Sequence, residues 1–171
     1  MKKFVIPALI IAAPQLVATF FSMTYYENRN LSFIIGLIYL VITFFLFLHF
    51  TKKYKANELK NEMSFSKGFG YSMKVSVLWA VFCCIINFIY SKVNYEAATA
   101  LNEKLFNEQR KKIIEQMGSI SLSEENKLKE LIEIQQNPLF MAGGTFIYLI
   151  FVGLFISLIV AGITKTKIKE Q

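Results

Sequence analysis

The chain has 171 residues, of which 54% are hydrophobic and 18% charged, and its formal net charge is +7. Asp is absent, which excludes Ser-His-Asp triads and intramembrane Asp dyads, and His49, Cys83 and Cys84 are too few for a tetrahedral metal site. We therefore predict no catalytic, cofactor-binding or metal-ligating residues and no enzymatic activity. Because the uncharged residues gather in four long apolar runs, the composition predicts a membrane protein.

The first two runs predict an antiparallel pair of membrane spans. Lys2 and Lys3 precede an apolar run over residues 4–26, long enough to cross a bilayer. It resembles a signal peptide at first, but Pro14 follows the only suitable cleavage site, so we interpret the run as an uncleaved span. Gln15 is its candidate intramembrane polar residue. A short polar turn at residues 27–30 leads to a second span over residues 31–50.

A lysine-rich segment, residues 51–67, follows the second span. It could bind nucleic acid but carries no such motif, and a membrane-flanking loop attracted to anionic lipid is favoured. Ser64 or Ser66 can cap the third helix. Gly68 and Gly70 are a weak phosphate-loop signal because a third glycine is missing, so we predict that they allow close helix packing.

The third span is predicted over residues 71–91, with Asn87 as its one amide side chain. Met63-Ser64-Phe65-x-x-Gly68-Phe69, entering an apolar helix after a basic loop, resembles the bacterial domain-of-unknown-function family 4199. The order of the remaining segments fits the same family. The resemblance implies a small four-span integral protein of Gram-negative inner membranes. It supplies neither an established activity nor catalytic residues.

A charged but patterned segment, residues 92–137, separates the third and fourth spans. Apolar residues recur at helical intervals on both sides of a Gly118-Ser119 break, and Ser121 to Glu124 has the capping-box pattern. These features predict two amphipathic helices that fold back on each other or on the membrane surface. A partner-binding surface is the alternative to a self-satisfied helical cap.

The last apolar run predicts a fourth span over residues 139–163. Gly153, Ser157 and Ala161 are spaced by four and form one small-residue face, which we predict to meet another helix within the monomer or across a dimer. The predicted fold is thus all-α, a single four-helix transmembrane domain over residues 1–171 with an extramembrane helical hairpin between spans three and four.

Charge predicts the orientation. With four spans, eleven of the nineteen basic residues fall on the side of both termini and the 51–67 segment. The other eight are diluted through the opposite side. Basic residues favour the cytoplasmic side, so we predict cytoplasmic termini and a periplasmic segment 92–137.

We weigh two main classes of function for this chain; a third, a lipid-modifying enzyme that uses a Glu of the outer helices, would require such a Glu beside a cleft. The leading hypothesis is a non-enzymatic inner-membrane protein that acts through helix packing or partner binding, with a homo-oligomer or another membrane protein as partner and no nucleic acid. The alternative is a small oligomeric transporter or channel, in which Gln15 and Asn87 would line a polar path. No cofactor is predicted for either.

Overall fold

The computed structural model describes residues 2–24, 29–93, 95–119 and 121–166. Apart from short connections these residues are helical, and none of them lies in a strand, which confirms the all-α prediction. The helices are α1 (Lys2–Thr24), α2 (Arg29–Glu58), α3 (Phe65–Val93), α4 (Tyr95–Met117), α5 (Leu122–Gln136) and α6 (Pro138–Thr164). The chain forms two compact units. The first unit comprises residues 1–84 and 145–171, and the second comprises residues 85–144.

Three helices in the described part of the chain are long and apolar enough to cross a bilayer. They are Phe33–Glu58 within α2, together with α3 and α6. The helix α1 is confirmed over Lys2–Thr24 and continues through Pro7 and Pro14, but its role as a fourth span stays a prediction. The last residues of the predicted first span, 25 and 26, lie outside the described residues.

The first unit buries hydroxyl side chains together with apolar ones such as Ile11, Phe47 and Trp79, and it exposes many large apolar side chains. The hydroxyl residues Thr43, Thr51, Ser72, Ser76 and Ser157 are buried. Large apolar side chains along α2 and α6 are exposed, including Phe33, Ile34, Phe45, Phe151 and Phe155. Large exposed apolar patches are rare on soluble monomers, whereas exposed apolar side chains are typical of helices that face lipid.

The helix α2 is longer than predicted and takes up half of the lysine-rich loop. It runs to Glu58 rather than ending near residue 50, because three contacts hold its last two turns. Thr51 shares a buried hydrogen bond with Ser72 at 3.0 Å, Tyr54 stacks on Tyr71, and Lys55 donates to a carbonyl of α6. The connection to α3 is therefore a tight turn in which Lys60 and Asn61 adopt positive φ angles of 48° and 66°.

The helix α2 begins two residues earlier than predicted. Arg29 and Asn30 already belong to α2, and residues 27 and 28 lie outside the described residues. The two helices pack against each other as predicted. Lys3 at the start of α1 lies beside Glu58 at the end of α2, so the two helices are antiparallel.

Side-chain caps mark the first residues of α3 and α6. The Ser64 hydroxyl accepts from the backbone N–H of Lys67 at 3.4 Å, so Ser64 rather than Ser66 caps α3. α3 thus begins six residues before the predicted span. At α6, Pro138 occupies the first helical position and the Asn137 side chain accepts from the Leu139 N–H at 2.9 Å.

The second unit contains α4 and α5, which pack as an antiparallel hairpin. Gly118, with φ of +79°, ends α4, and Ser121 and Glu124 form the predicted capping box at the start of α5. The register is set by two contacts one helical turn apart. Phe106 lies under the Lys129 ammonium at 5.8 Å, and Arg110 pairs with Glu125 at 3.4 Å.

Candidate functional site: the lysine-rich end of the first unit

One end of the first unit brings together the start of α1, the end of α2, the start of α3 and the end of α6. We call it the lysine-rich end, defined by residues 2–4, 51–74 and 164–166. The backbone N–H of Thr166 donates to the Met63 carbonyl at 2.8 Å, and its hydroxyl accepts from the Met63 N–H at 2.9 Å. Lys55 donates to the Thr164 carbonyl at 2.9 Å. This bond satisfies a carbonyl that the end of α6 leaves without a helical partner.

Lys3 holds the start of α1 on the ends of α2 and α3. Its ammonium pairs with the Glu58 carboxylate at 2.9 Å, and its backbone carbonyl accepts from the Tyr71 hydroxyl at 3.2 Å. Tyr71 in turn stacks on Tyr54 with ring centroids 4.1 Å apart and contacts Phe4 at 5.6 Å. The cluster places amphipathic aromatic rings where a helix bundle would meet a membrane–water boundary.

The ion pair between Lys3 and Glu58 affects the net charge of the lysine-rich end more than the stability of the fold. The hydrogen bond to Glu58 and the attraction between the two charges raise the pKa of Lys3 above its ordinary value. Both side chains are about half exposed, and solvent-exposed ion pairs contribute little to stability. The electrostatic consequence is that one lysine of this end is neutralised by a carboxylate.

A cavity of about 280 Å³ opens at the lysine-rich end between α1, α2 and α3. We call the charged and amide-bearing lining residues, Lys2, Lys3, Lys53, Asn57 and Glu58, the rim of the cavity, and the apolar lining residues, Ile6, Pro7 and Phe50, its floor. The lining therefore combines net positive charge with apolar side chains.

The predicted small-residue face of α6 lies against α3 in the first unit. A Cβ atom built on Gly153 would lie 2.8 Å from the Cβ of Ser76, and one built on Gly68 would lie 3.5 Å from the Cα of Ala161. Ser76 lies eight residues after Gly68 on α3, whereas Gly153, which contacts Ser76, lies eight residues before Ala161 on α6. The two helices are therefore antiparallel here. Ser157, fully buried, lies between the two contacts on α6.

The remaining predicted residues are Gly70, Gln15 and Asn87. No atom of the described residues outside its own stretch of helix lies within 4 Å of a Cβ built on Gly70, so Gly70 does not make the close approach that Gly68 makes. Gln15 is half-buried on α1 in the first unit. Asn87 is half-buried in the second unit, where its backbone carbonyl accepts from the Ser91 hydroxyl at 2.8 Å.

Two features of the first unit were missed from the sequence. Trp79 is fully buried, donates to the Tyr39 hydroxyl at 3.2 Å and packs edge-on against Phe47. The Thr166 contacts with Met63 were also missed, although Met63 begins the family-like motif. A lone Trp in an apolar run is a signal for a buried anchor that needs a hydrogen-bond partner, but the sequence does not say which helix supplies it.

No curated protein and no solved structure matches the chain. A family model does match it, over residues 5–166, a range that includes the lysine-rich end except for its residues 2–4. That range includes the Met63 to Phe69 motif and both partners of the α3–α6 contact. The chain accordingly belongs to the family described as "Protein of unknown function (DUF4199)".

Proposed function

We propose that this protein is a four-span integral protein of the bacterial inner membrane that acts without catalysis, through helix packing and partner binding. Both termini would lie in the cytoplasm and residues 92–137 in the periplasm. The observation that carries the proposal is the lysine-rich end, where two helix starts and two helix ends meet.

The packing of α1 along α2 supports a fourth span. At 1.5 Å per residue the 23 residues of α1 reach roughly 35 Å, about the thickness of a bilayer's apolar core. Ala8, Ile11 and Ala12 are buried while Ile6, Leu9 and Leu16 are exposed. A helix packed antiparallel to α2 would cross the bilayer beside it.

The distribution of lysines supports a cytoplasmic lysine-rich end. Lys2, Lys3, Lys52, Lys53 and Lys55 lie at the meeting point of α1 and α2. Lysines beside short loops set orientation by staying in the cytoplasm. An end with this charge would also attract the anionic lipids of the cytoplasmic leaflet.

The hairpin of α4 and α5 supports partner binding by the second unit. Leu128 and Ile132 on α5 are half-buried, but Leu131 is 56% exposed. Leu122 and Ile134 are exposed as well. A hairpin that covered all its own apolar residues would leave no such side chains outward, so this surface is available to a partner or to the membrane interface.

Single cysteines test the topology. In a Cys83→Ser, Cys84→Ser background, cysteines at Asn107 and Asn126 should react with an impermeant thiol reagent on intact spheroplasts. A cysteine at Asn57 should stay protected until the membrane is opened. The reverse pattern would invert the proposed orientation.

Purified protein tests the activity. Turnover of any lipid or peptide substrate would contradict a non-catalytic role. Solute flux in proteoliposomes that disappears in Gln15→Ala and Asn87→Ala variants would favour the transporter alternative.

Co-purification of a membrane protein that is lost in a Leu131→Glu variant, but kept in a Lys127→Glu control, would support partner binding through the second unit.

A further inference from the structure

The cavity at the lysine-rich end has the architecture of a site for an amphiphile. Its volume of about 280 Å³ is several times the roughly 30 Å³ that one water molecule occupies in the liquid, so it has room for more than a lone ion. Ile6 and Phe50 line its floor, and Lys2 and Lys53 stand on its rim. An apolar floor below cationic groups matches a ligand with an acyl portion and an anionic head.

Charge on the rim is only partly neutralised from within the protein. Glu58 pairs with Lys3, whereas Lys2 and Lys53 form no ion pair with any described residue. Asn57 adds an amide, which can donate to an oxyanion. The rim therefore presents two uncompensated ammonium groups and one amide.

The position of the cavity favours a lipid headgroup over a free anion as the ligand. It opens where α1 begins and where α2 ends, at the level that lipid headgroups would occupy beside spanning helices. The Tyr54 and Tyr71 rings, which form part of its wall, are the kind of side chain that sits at this level. A free phosphate would make no use of the apolar floor.

We propose that this cavity binds one anionic phospholipid, with the phosphodiester head between Lys2 and Lys53 and the start of an acyl chain over Ile6 and Phe50. The proposal rests on these helices spanning a bilayer and not on which side the lysine-rich end faces. Lys3 and Glu58 form a neutral pair at the edge of the site, so the net charge of the site comes from Lys2 and Lys53. Basic pockets between membrane helices bind headgroups in this manner.

Native mass spectrometry of the full chain in detergent tests the site. Phosphatidylglycerol should bind as one retained lipid, and phosphatidylcholine should bind at least tenfold more weakly. The Lys2→Gln, Lys53→Gln variant should bind phosphatidylglycerol at least tenfold more weakly than the unmodified protein. The matched control Lys52→Gln, Lys67→Gln removes the same charge from the same end without touching the cavity, and its affinity should change less than twofold.

Three outcomes would overturn the proposal. Unchanged affinity in the Lys2→Gln, Lys53→Gln variant would exclude the cavity. An equal loss in the control would reduce the effect to general attraction by the charged end. Displacement of the lipid by glycerol phosphate or inorganic phosphate at equal concentration would assign the site to a free anion.

A variant that is expected to bind phosphatidylglycerol more tightly provides a further test, because a variant that failed to fold would not gain affinity. Glu58→Gln removes the carboxylate that neutralises Lys3 while leaving an amide oxygen to accept its hydrogen bond. Phosphatidylglycerol should then bind about fivefold more tightly, the effect of one added lysine charge near an anionic headgroup. Weaker or unchanged binding by the Glu58→Gln variant would contradict the proposed role of the rim charges.

Discussion

At the scale of single residues, the packing of the first unit depends on glycines, whose lack of a side chain lets α3 and α6 approach each other closely. Gly153 has no side chain at the point where Ser76 of α3 comes closest, and Gly68 gives the same room to Ala161. Helices in lipid associate through such close contact because burying apolar side chains away from lipid yields no hydrophobic gain. Replacing such a glycine with alanine, which adds one methyl group, therefore tests the contact.

Gly153→Ala should destabilise the protein, since its Cβ would lie 2.8 Å from the Ser76 Cβ, which cannot rotate away. Overpacking of this kind costs about 1–3 kcal/mol. Gly162→Ala on the same helix is the control, because no described atom outside its own stretch of helix lies within 4 Å of a Cβ there. It should be neutral or stabilising by up to about 1 kcal/mol, the usual gain from replacing a helical glycine.

Unfolding in mixed detergent micelles would measure both changes. Equal stability of the two variants would contradict the contact between α3 and α6. A Ser76→Gly, Gly153→Ala double variant should be less destabilised than the sum of the two single changes, because it removes the atoms that collide.

Glu124 gives the hairpin of the second unit a dependence on pH. Its carboxylate accepts hydrogen bonds from the Ser121 hydroxyl and backbone N–H, which lower the pKa of Glu124 below its ordinary value of 4.5. A carboxyl group with a lowered folded-state pKa stabilises the fold above its unfolded pKa, and the contribution is lost as pH falls through the folded value. We expect α5 to lose protection from amide exchange below about pH 4.5.

The Glu124→Gln variant separates this effect from general acid unfolding. It keeps a side chain that can accept from Ser121 but has no proton to gain. Relative to the unmodified protein, its α5 amides should be less protected at pH 7 and should change less between pH 7 and pH 3. An identical pH response in both proteins would rule out Glu124 as the source.

At the scale of elements, the sequence predicts where helices lie better than it predicts what they contact. The spacing of Gly153, Ser157 and Ala161 marks a face of α6, yet a repeat of four residues does not say that Ser76 lies opposite. The end of α2 was misplaced because Lys52, Lys53 and Lys55 read as loop. Its extra turns depend on Thr51, Tyr54 and Lys55 meeting residues far away in the chain, which local propensity cannot register.

The α3–α6 register makes a prediction at this scale. Gly68 faces Ala161 and Ser76 faces Gly153, so Ser72 and Ser157, midway between these contacts, should face each other. In a Cys83→Ser, Cys84→Ser background, Ser72→Cys with Ser157→Cys should form a disulfide on mild oxidation. Ser72→Cys with Leu158→Cys should not, because Leu158 is on the exposed side of α6. Cross-linking of the second pair alone would mean that α6 is rotated about its axis.

At the scale of the whole molecule, two kinds of charge distribution coexist. The first unit gathers lysines at one end and exposes apolar side chains along α2 and α6. The second unit carries both signs along its hairpin, with Arg110 and Lys129 on either side of Glu125. Composition predicted both patterns, since runs of apolar residues and mixed charge are properties of the sequence. The cavity at the lysine-rich end was not predicted, because it exists only where α1, α2 and α3 meet.

The number of membrane spans can be tested, because it depends on whether α1 crosses the bilayer. Because Lys3 contacts Glu58 at the end of α2, a crossing α1 would place Lys2 on the same side of the membrane as Asn57. A single cysteine in a Lys2→Cys variant lacking Cys83 and Cys84 should thus be protected from an impermeant thiol reagent on sealed spheroplasts. It should react when the membrane is opened, as a cysteine at Asn57 should. A cysteine at Asn30, at the opposite end of α2, should react on sealed spheroplasts. Labelling at Lys2 and Asn30 alike, with Asn57 protected, would show that α1 does not cross and that the protein has three spans.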